Sequence, residues 1–199
     1  MRIRILGTVA VLALAAFAAV AYADVEDIPG NGNYDPYNGG CEVNNINGEA
    51  QQGDGDDDTM VGTERRDLLR GGGGDDNIFG LGARDCLFGE EGRDEIAAGK
   101  GGDYADGGDG HDEIDGREGP DLVLGRNGRD ELEGDAGADE IRGGPADDNI
   151  SAGPGDDEID GGPGADTIDC GPGDDIVRNA QRSDTIAGNC ETVRRRDDN

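Results

Sequence analysis

The chain has 199 residues, with 47 acidic against 17 basic side chains, a formal charge of −30, 39 glycines, no tryptophan and one histidine. A surface that negative excludes nucleic acid as a partner, because binding phosphates needs a basic face. A chain so acidic and poor in apolar residues cannot offset its conformational entropy unaided, so it is either disordered or folded by something positively charged.

In chain order, residues 1–23, "MRIRILGTVAVLALAAFAAVAYA", pair Arg2 and Arg4 with an apolar run and end in Ala21-Tyr22-Ala23. That is the pattern of a secretory signal peptide cleaved after Ala23, which makes the mature protein extracellular. The alternative, a membrane anchor, fits poorly: the apolar run is short and no stop-transfer charges follow it. No other stretch is long and apolar enough to span a bilayer. Losing the leader removes two arginines and leaves 47 acidic against 15 basic residues. Residues 24–52 form an N-terminal segment with Tyr34, Tyr37, Val43 and Ile46 around Cys41.

From residue 53 to 187 one pattern repeats every nine residues. Aspartate stands at Asp58, Asp67, Asp76, Asp85, Asp94, Asp103, Asp112, Asp121, Asp130, Asp139, Asp148, Asp157, Asp166, Asp175 and Asp184. Two residues after each comes an apolar side chain, large at every station except Ala105. Glycine stands five residues before the aspartate at eleven stations, the exceptions being Ala98, Ala152, Cys170 and Asn179. One apolar residue in nine suits a very short strand with one side chain inward and its neighbours outward. The glycine-rich stretch between must turn tightly, through positive φ. Two units make an 18-residue coil, and stacked coils bury a ladder that no single unit could bury. An all-β solenoid of about seven coils follows, with residues 188–199 as a C-terminal cap and tail.

Aspartates one coil apart would stack at about 4.8 Å, the strand spacing, in two columns along the turns. Carboxylates that close repel. A hard divalent cation between successive loops, ligated by aspartate oxygens and loop carbonyls, turns repulsion into cross-linking. Calcium fits best, since it accepts ~6–8 oxygen ligands in flexible geometry, whereas magnesium is stricter and zinc prefers histidine or thiolate.

The stretches "GGGGDDNIF" (71–79), "GGDGHDEID" (107–115) and "GGPGADTID" (161–169) resemble the RTX, or hemolysin-type, calcium-binding nonapeptide GGxGxDxUx. The resemblance covers residues 53–187 and implies a right-handed parallel β-roll with calcium in its turns. It implies too that the fifteen aspartates are the side-chain ligands, with carbonyls of the preceding turns as the others. Eight stations counted from Asp58 and seven from Asp67 give at most thirteen inter-loop sites. Two turns depart from the pattern: "GTERRD" (62–67) and "NAQRSD" (179–184) place bulky residues where glycines belong. The whole is similar to small secreted calcium-binding proteins of actinobacteria, whose roll often ends in a cysteine-containing cap.

No catalytic constellation accompanies the repeat. His111 lies at a variable loop position, no HExxH or G-x-S-x-G motif occurs, and an EF-hand at Asp54, Asp56 and Asp58 fails at Thr59 and Arg65. The chain reads as a calcium-dependent structural or binding protein outside the cell. The alternative is an accessory glycan-binding roll of an extracellular enzyme system, though Phe79, Phe88 and Tyr104 are its only aromatics. Outward columns of Glu95, Glu113, Glu131 and of Glu140, Glu158 disfavour ice binding.

Export and an even count of four cysteines predict disulfides. Cys170 and Cys190 flank the last rung, where a short turn back brings them within bonding reach. The second pair is Cys41 and Cys86. Cys86 falls in an outward column of Leu68, Cys86, Tyr104 and Leu122, with Phe88 and Leu124 alongside, an apolar patch out of place on so acidic a chain. Either the N-terminal segment lies across this patch, pinned by Cys41–Cys86, or the patch is an interface with a second copy or another protein.

Overall fold

The computed structural model describes residues 47–195, and no helix occurs among them. Seventeen short strands follow in order: β1 (Ala50–Gln52), β2 (Thr59–Val61), β3 (Leu68–Gly73), β4 (Asn77–Gly82), β5 (Cys86–Glu91), β6 (Glu95–Lys100), β7 (Tyr104–Gly110), β8 (Glu113–Glu118), β9 (Leu122–Gly128), β10 (Glu131–Glu133), β11 (Glu140–Arg142), β12 (Asn149–Ser151), β13 (Glu158–Asp160), β14 (Thr167–Asp169), β15 (Ile176–Ala180), β16 (Thr185–Ile186) and β17 (Thr192–Arg195). The odd strands form a nine-stranded parallel sheet and the even strands an eight-stranded one, each in sequence order. Partners lie 18 residues apart, as in Leu69↔Leu87 and Ile96↔Ile114. The chain is therefore a parallel β-solenoid of about eight turns, the β-roll expected from the ninefold pattern.

The core is the ladder itself. Met60, Ile78, Ile96, Ile114, Leu132, Ile150 and Ile168 of the even sheet face Leu69, Leu87, Ala105, Val123, Ile141, Ile159 and Val177 of the odd sheet, all in one buried cluster. The short strands bury their central residue and expose or half-expose its neighbours. Each large aliphatic buried this way is worth about 1.5–3 kcal/mol. The energy accrues only through stacking, because a single rung has nothing to pack against.

Strand length changes along the roll for a visible reason. From β3 to β9 the strands run six or seven residues, continuing past the corner into the turn; from β10 to β14 they stop at three. The turns of the second half carry Pro145, Pro154, Pro163 and Pro172. Proline donates no N–H, so the ladder cannot pass through it. The equivalent positions in the first half, among them Glu91, Lys100 and Asp109, pair with the neighbouring coil.

The rungs extend beyond residues 53–187, with β1 at one end and β17 at the other. β17 pairs 16 residues after β15, Val177↔Val193, so the last coil is two residues short. It is clasped by the Cys170–Cys190 disulfide, with Cα atoms 5.3 Å apart, as the cysteine placement predicted.

The outward column of Leu68, Cys86, Tyr104 and Leu122 stands in one register. Beside it Phe88 packs on Tyr104, ring centroids 5.4 Å apart, and the Arg70 guanidinium lies over Phe88. The sequence places these residues in an outward column that needs a cover, and Leu68, Cys86, Leu122 and Leu124 are buried. Cys86 is disulfide-bonded. Cys41, the partner expected for it, lies outside the described residues, as does the leader at 1–23. Among the described residues no helix is long and apolar enough to cross a membrane.

Candidate metal centres in the turn columns

Every aspartate station immediately precedes a strand, which places the carboxylates in two columns, one along each edge of the roll. From Asp67 to Asp175 all thirteen side chains are buried, none more than 3 % exposed, while Asp58 and Asp184 at the ends are half-buried. Burial of this many carboxylates demands compensation.

Half of the compensation comes from the backbone. Asp85 Oδ1 accepts from the Asp67 N–H at 2.8 Å, Asp121 Oδ1 from Asp103 at 2.7 Å, and Asp148 Oδ1 from Asp130 at 2.9 Å. The same bond recurs at every station from Asp76 to Asp175, so each aspartate holds down the coil before it.

The other oxygen has no such partner. Oδ2 is buried without a hydrogen bond at twelve stations: Asp76, Asp85, Asp94, Asp103, Asp112, Asp121, Asp130, Asp139, Asp148, Asp157, Asp166 and Asp175. Native proteins rarely leave such atoms unpaired, so each calls for a missing partner. Backbone carbonyls share the same small spaces. A Cβ on Gly116 would stand 2.9 Å from Asp121 Oδ2 and 2.9 Å from the Gly134 carbonyl oxygen. One on Gly125 would stand 2.5 Å from Asp130 Oδ2 and 2.7 Å from the Gly143 oxygen. Glycine therefore keeps open a cradle between a free carboxylate oxygen and a carbonyl of the next coil. Ala98, Ala152 and Cys170, which replace it at three stations, are buried in the core.

The electrostatics agree with this. Burial is the main cause raising the aspartate pKa values, and the column neighbours add like-charge repulsion, against a lowering from the backbone N–H bond. Asp85 and Asp121 are pushed up to about 8, and Asp112, Asp139 and Asp148 to about 7. Without a counter-charge these carboxylates hold protons near neutrality.

One backbone feature is shared by all twelve. Four residues before each of these aspartates the backbone has positive φ: Gly72, Leu81, Glu90, Gly99, Gly108, Arg117, Arg126, Asp135, Gly144, Gly153, Gly162 and Gly171. Five of these are not glycine. A left-handed non-glycine residue costs roughly 1–2 kcal/mol, so the conformation is imposed on Leu81, Glu90, Arg117, Arg126 and Asp135 against their preference.

At the three end stations Oδ2 is filled by the protein. Asp67 Oδ2 accepts from the Thr63 N–H at 2.6 Å and from Thr63 Oγ1 at 3.0 Å, and its Oδ1 accepts from the Glu49 N–H. Asp58 Oδ2 accepts from the Asp54 N–H at 3.1 Å, and Asp184 Oδ2 from the Gln181 N–H at 2.6 Å. Glu191 closes the other column at the C-terminal end: its Oε2 accepts from the Asp175 N–H at 3.1 Å, taking the part an aspartate plays elsewhere. Reading the sequence at a strict nine missed Glu191, though Glu191-Thr192-Val193 repeats the acid, polar, aliphatic triplet two residues early.

Among the described residues no three His, Cys, Asp or Glu side chains converge on one point. Any cation here is held by no more than two carboxylates together with carbonyls, an all-oxygen set suited to calcium and unsuited to zinc. His111, at an exposed loop position, accepts at Nδ1 from the Arg129 N–H at 3.0 Å, bracing two turns.

Comparison with known proteins gives one match. A family described as the RTX calcium-binding nonapeptide repeat matches residues 52–85, 88–123, 115–148, 124–157 and 142–177. No curated protein and no solved structure matches the chain.

Proposed function

The chain belongs to the RTX calcium-binding nonapeptide repeat family, and from that premise we propose that it is a secreted, non-enzymatic protein whose roll folds around a ladder of calcium ions and serves a structural or binding role outside the cell. Twelve buried, unpartnered aspartate oxygens in two columns carry this reading. In that role calcium supplies the positive charge that the acidic core edges need. The residues that would hold it are the station aspartates, through Oδ2, with carbonyls such as those of Gly134 and Gly143. At nine of the twelve stations a glycine five before the aspartate keeps the space clear, and the aliphatic ladder fixes the spacing of the loops. Secretion is supported by the leader-like residues 1–23 and by the Cys170–Cys190 disulfide, a bond that persists in oxidising compartments.

Two measurements test the proposal. Calorimetric titration of decalcified protein should give saturable binding of calcium in the extracellular range, about 10⁻⁴–10⁻³ M, with magnesium far weaker. No calcium binding, or equal binding of both metals, overturns the metal assignment. Expressed with its leader in a bacterial host, the protein should be found outside the cytoplasm, starting at Asp24. An intact N-terminus in the cytoplasmic fraction overturns secretion.

A further inference from the structure

The fifteen aspartates look equivalent in sequence and are not equivalent in the structure. Two features divide them in the same way. Twelve, from Asp76 to Asp175, have a left-handed residue four positions earlier and a buried Oδ2 without a partner. Three, Asp58, Asp67 and Asp184, have neither: Asp54, Thr63 and Ala180 are not left-handed, and a turn N–H donates to Oδ2.

A physical link joins the two features. Where the residue four before the aspartate is left-handed, its N–H is turned away from the carboxylate and can bond the adjacent coil. The N–H of Arg126 donates to the Gly143 carbonyl and that of Gly144 to the Gly161 carbonyl. Where that residue stays out of the left-handed region, as at Asp54 and Thr63, its N–H donates to Oδ2 and occupies the position a cation would take; at Asp184 the Gln181 N–H, three residues before the aspartate, does so.

We propose that Asp58, Asp67 and Asp184 are not metal ligands but self-satisfied end stations that terminate the cation ladder, and that only the twelve interior aspartates take up calcium. The inference rests on the calcium reading above and makes it specific to positions. Six interior stations in each column leave five consecutive pairs per column, so at most ten inter-loop sites rather than thirteen. Three of the four column ends close in turns that need no ion, and at the fourth Glu191 accepts the Asp175 N–H, which matters because an end loop has a neighbouring coil on one side only.

The test is the calcium-to-protein ratio at saturation, measured by equilibrium dialysis and elemental analysis on folded monomer. Asparagine is the substitution of choice, since it removes the charge at nearly unchanged shape and its carbonyl oxygen keeps one of the two acceptor positions. The wild type should hold no more than ten ions. Asp67→Asn and Asp184→Asn should leave the ratio unchanged, and Asp121→Asn should lower it by one or two. If Asp121→Asn does not fold, Asp76→Asn at the edge of the ladder takes its place, with a loss of one. A wild-type ratio near zero overturns the calcium reading as a whole. A wild-type ratio above ten, or loss of ions in Asp67→Asn or Asp184→Asn comparable with the interior variant, overturns the end-station assignment alone.

Discussion

Removing the clasp at the end of the roll should cost about 3 kcal/mol and expose how the last coil is held. The perturbation is Cys170→Ala with Cys190→Ala, alanine being chosen because Cys170 is fully buried in the core and a serine hydroxyl would have no partner there. The bond joins residues 20 apart, and the loop-closure entropy for a loop of that size is worth about 3.3 kcal/mol at room temperature. For a protein of this length about 1 kcal/mol moves the melting temperature by ~2–4 °C, so the variant should melt about 7–13 °C lower at saturating calcium. A solenoid can also release its terminal unit separately. The loss should therefore be accompanied by faster amide exchange in Ile176–Ala180 and Thr192–Arg195, with exchange at the central strands unchanged. The assay is a circular dichroism melt with calcium fixed, paired with hydrogen exchange, and reduced wild type should behave as the variant does. A melting point within about 1 °C of wild type, with unchanged exchange in the last two odd strands, would refute the reasoning.

Glycine roles differ sharply by position. Gly128→Ala would place a Cβ 1.5 Å from the Gly110 carbonyl oxygen at a φ of +152°, so it should destabilise the loaded roll by ~1–3 kcal/mol or more and weaken calcium binding, while Gly55→Ala, with open space around it, should change melting by less than about 1 kcal/mol. Ile114→Ala, at the centre of the ladder and fully buried, should cost about 2–5 kcal/mol in a denaturant melt. The decalcified protein should gain β structure in acid. Burial pushes Asp85 and Asp121 up to about 8 in the folded chain, from an ordinary value of 3.8, so the folded state binds protons more tightly, and the stability protonation gives is lost progressively as pH rises from about 4 through about 8. Circular dichroism of decalcified protein should show more β signal at pH 5 than at pH 8.5; equal signals would contradict the burial argument.

Much of this was legible because the period is strict. Asp and the aliphatic two residues later fix both the inward ladder and the turn columns, and two units per coil give the 18-residue register seen in Ile96↔Ile114. Cys170 and Cys190 could be paired because a solenoid makes their separation calculable. What stayed hidden depended on spatial relations that the repeat does not encode. The Oδ1 bond from each aspartate to the N–H one coil earlier needs the three-dimensional register before it can be seen. Glu191 fell outside a strict nine because the last coil is two residues short. The difference between Asp67 and Asp76 lies in the backbone conformation of Thr63 and Gly72, and the left-handed Leu81 and Glu90 show that residue type alone does not set it. The short strands of the second half were not anticipated, although Pro145, Pro154, Pro163 and Pro172, with no N–H to donate, stand in the sequence.

The central claim is that calcium, and not the polypeptide alone, holds this roll together at neutral pH. Circular dichroism of exhaustively decalcified protein, titrated with calcium at pH 7.5 and low ionic strength, tests it most directly. The account predicts a disordered spectrum that converts cooperatively to a β-rich one and reverts on chelation. A β-rich spectrum that is the same before calcium, after it and in excess chelator would contradict it.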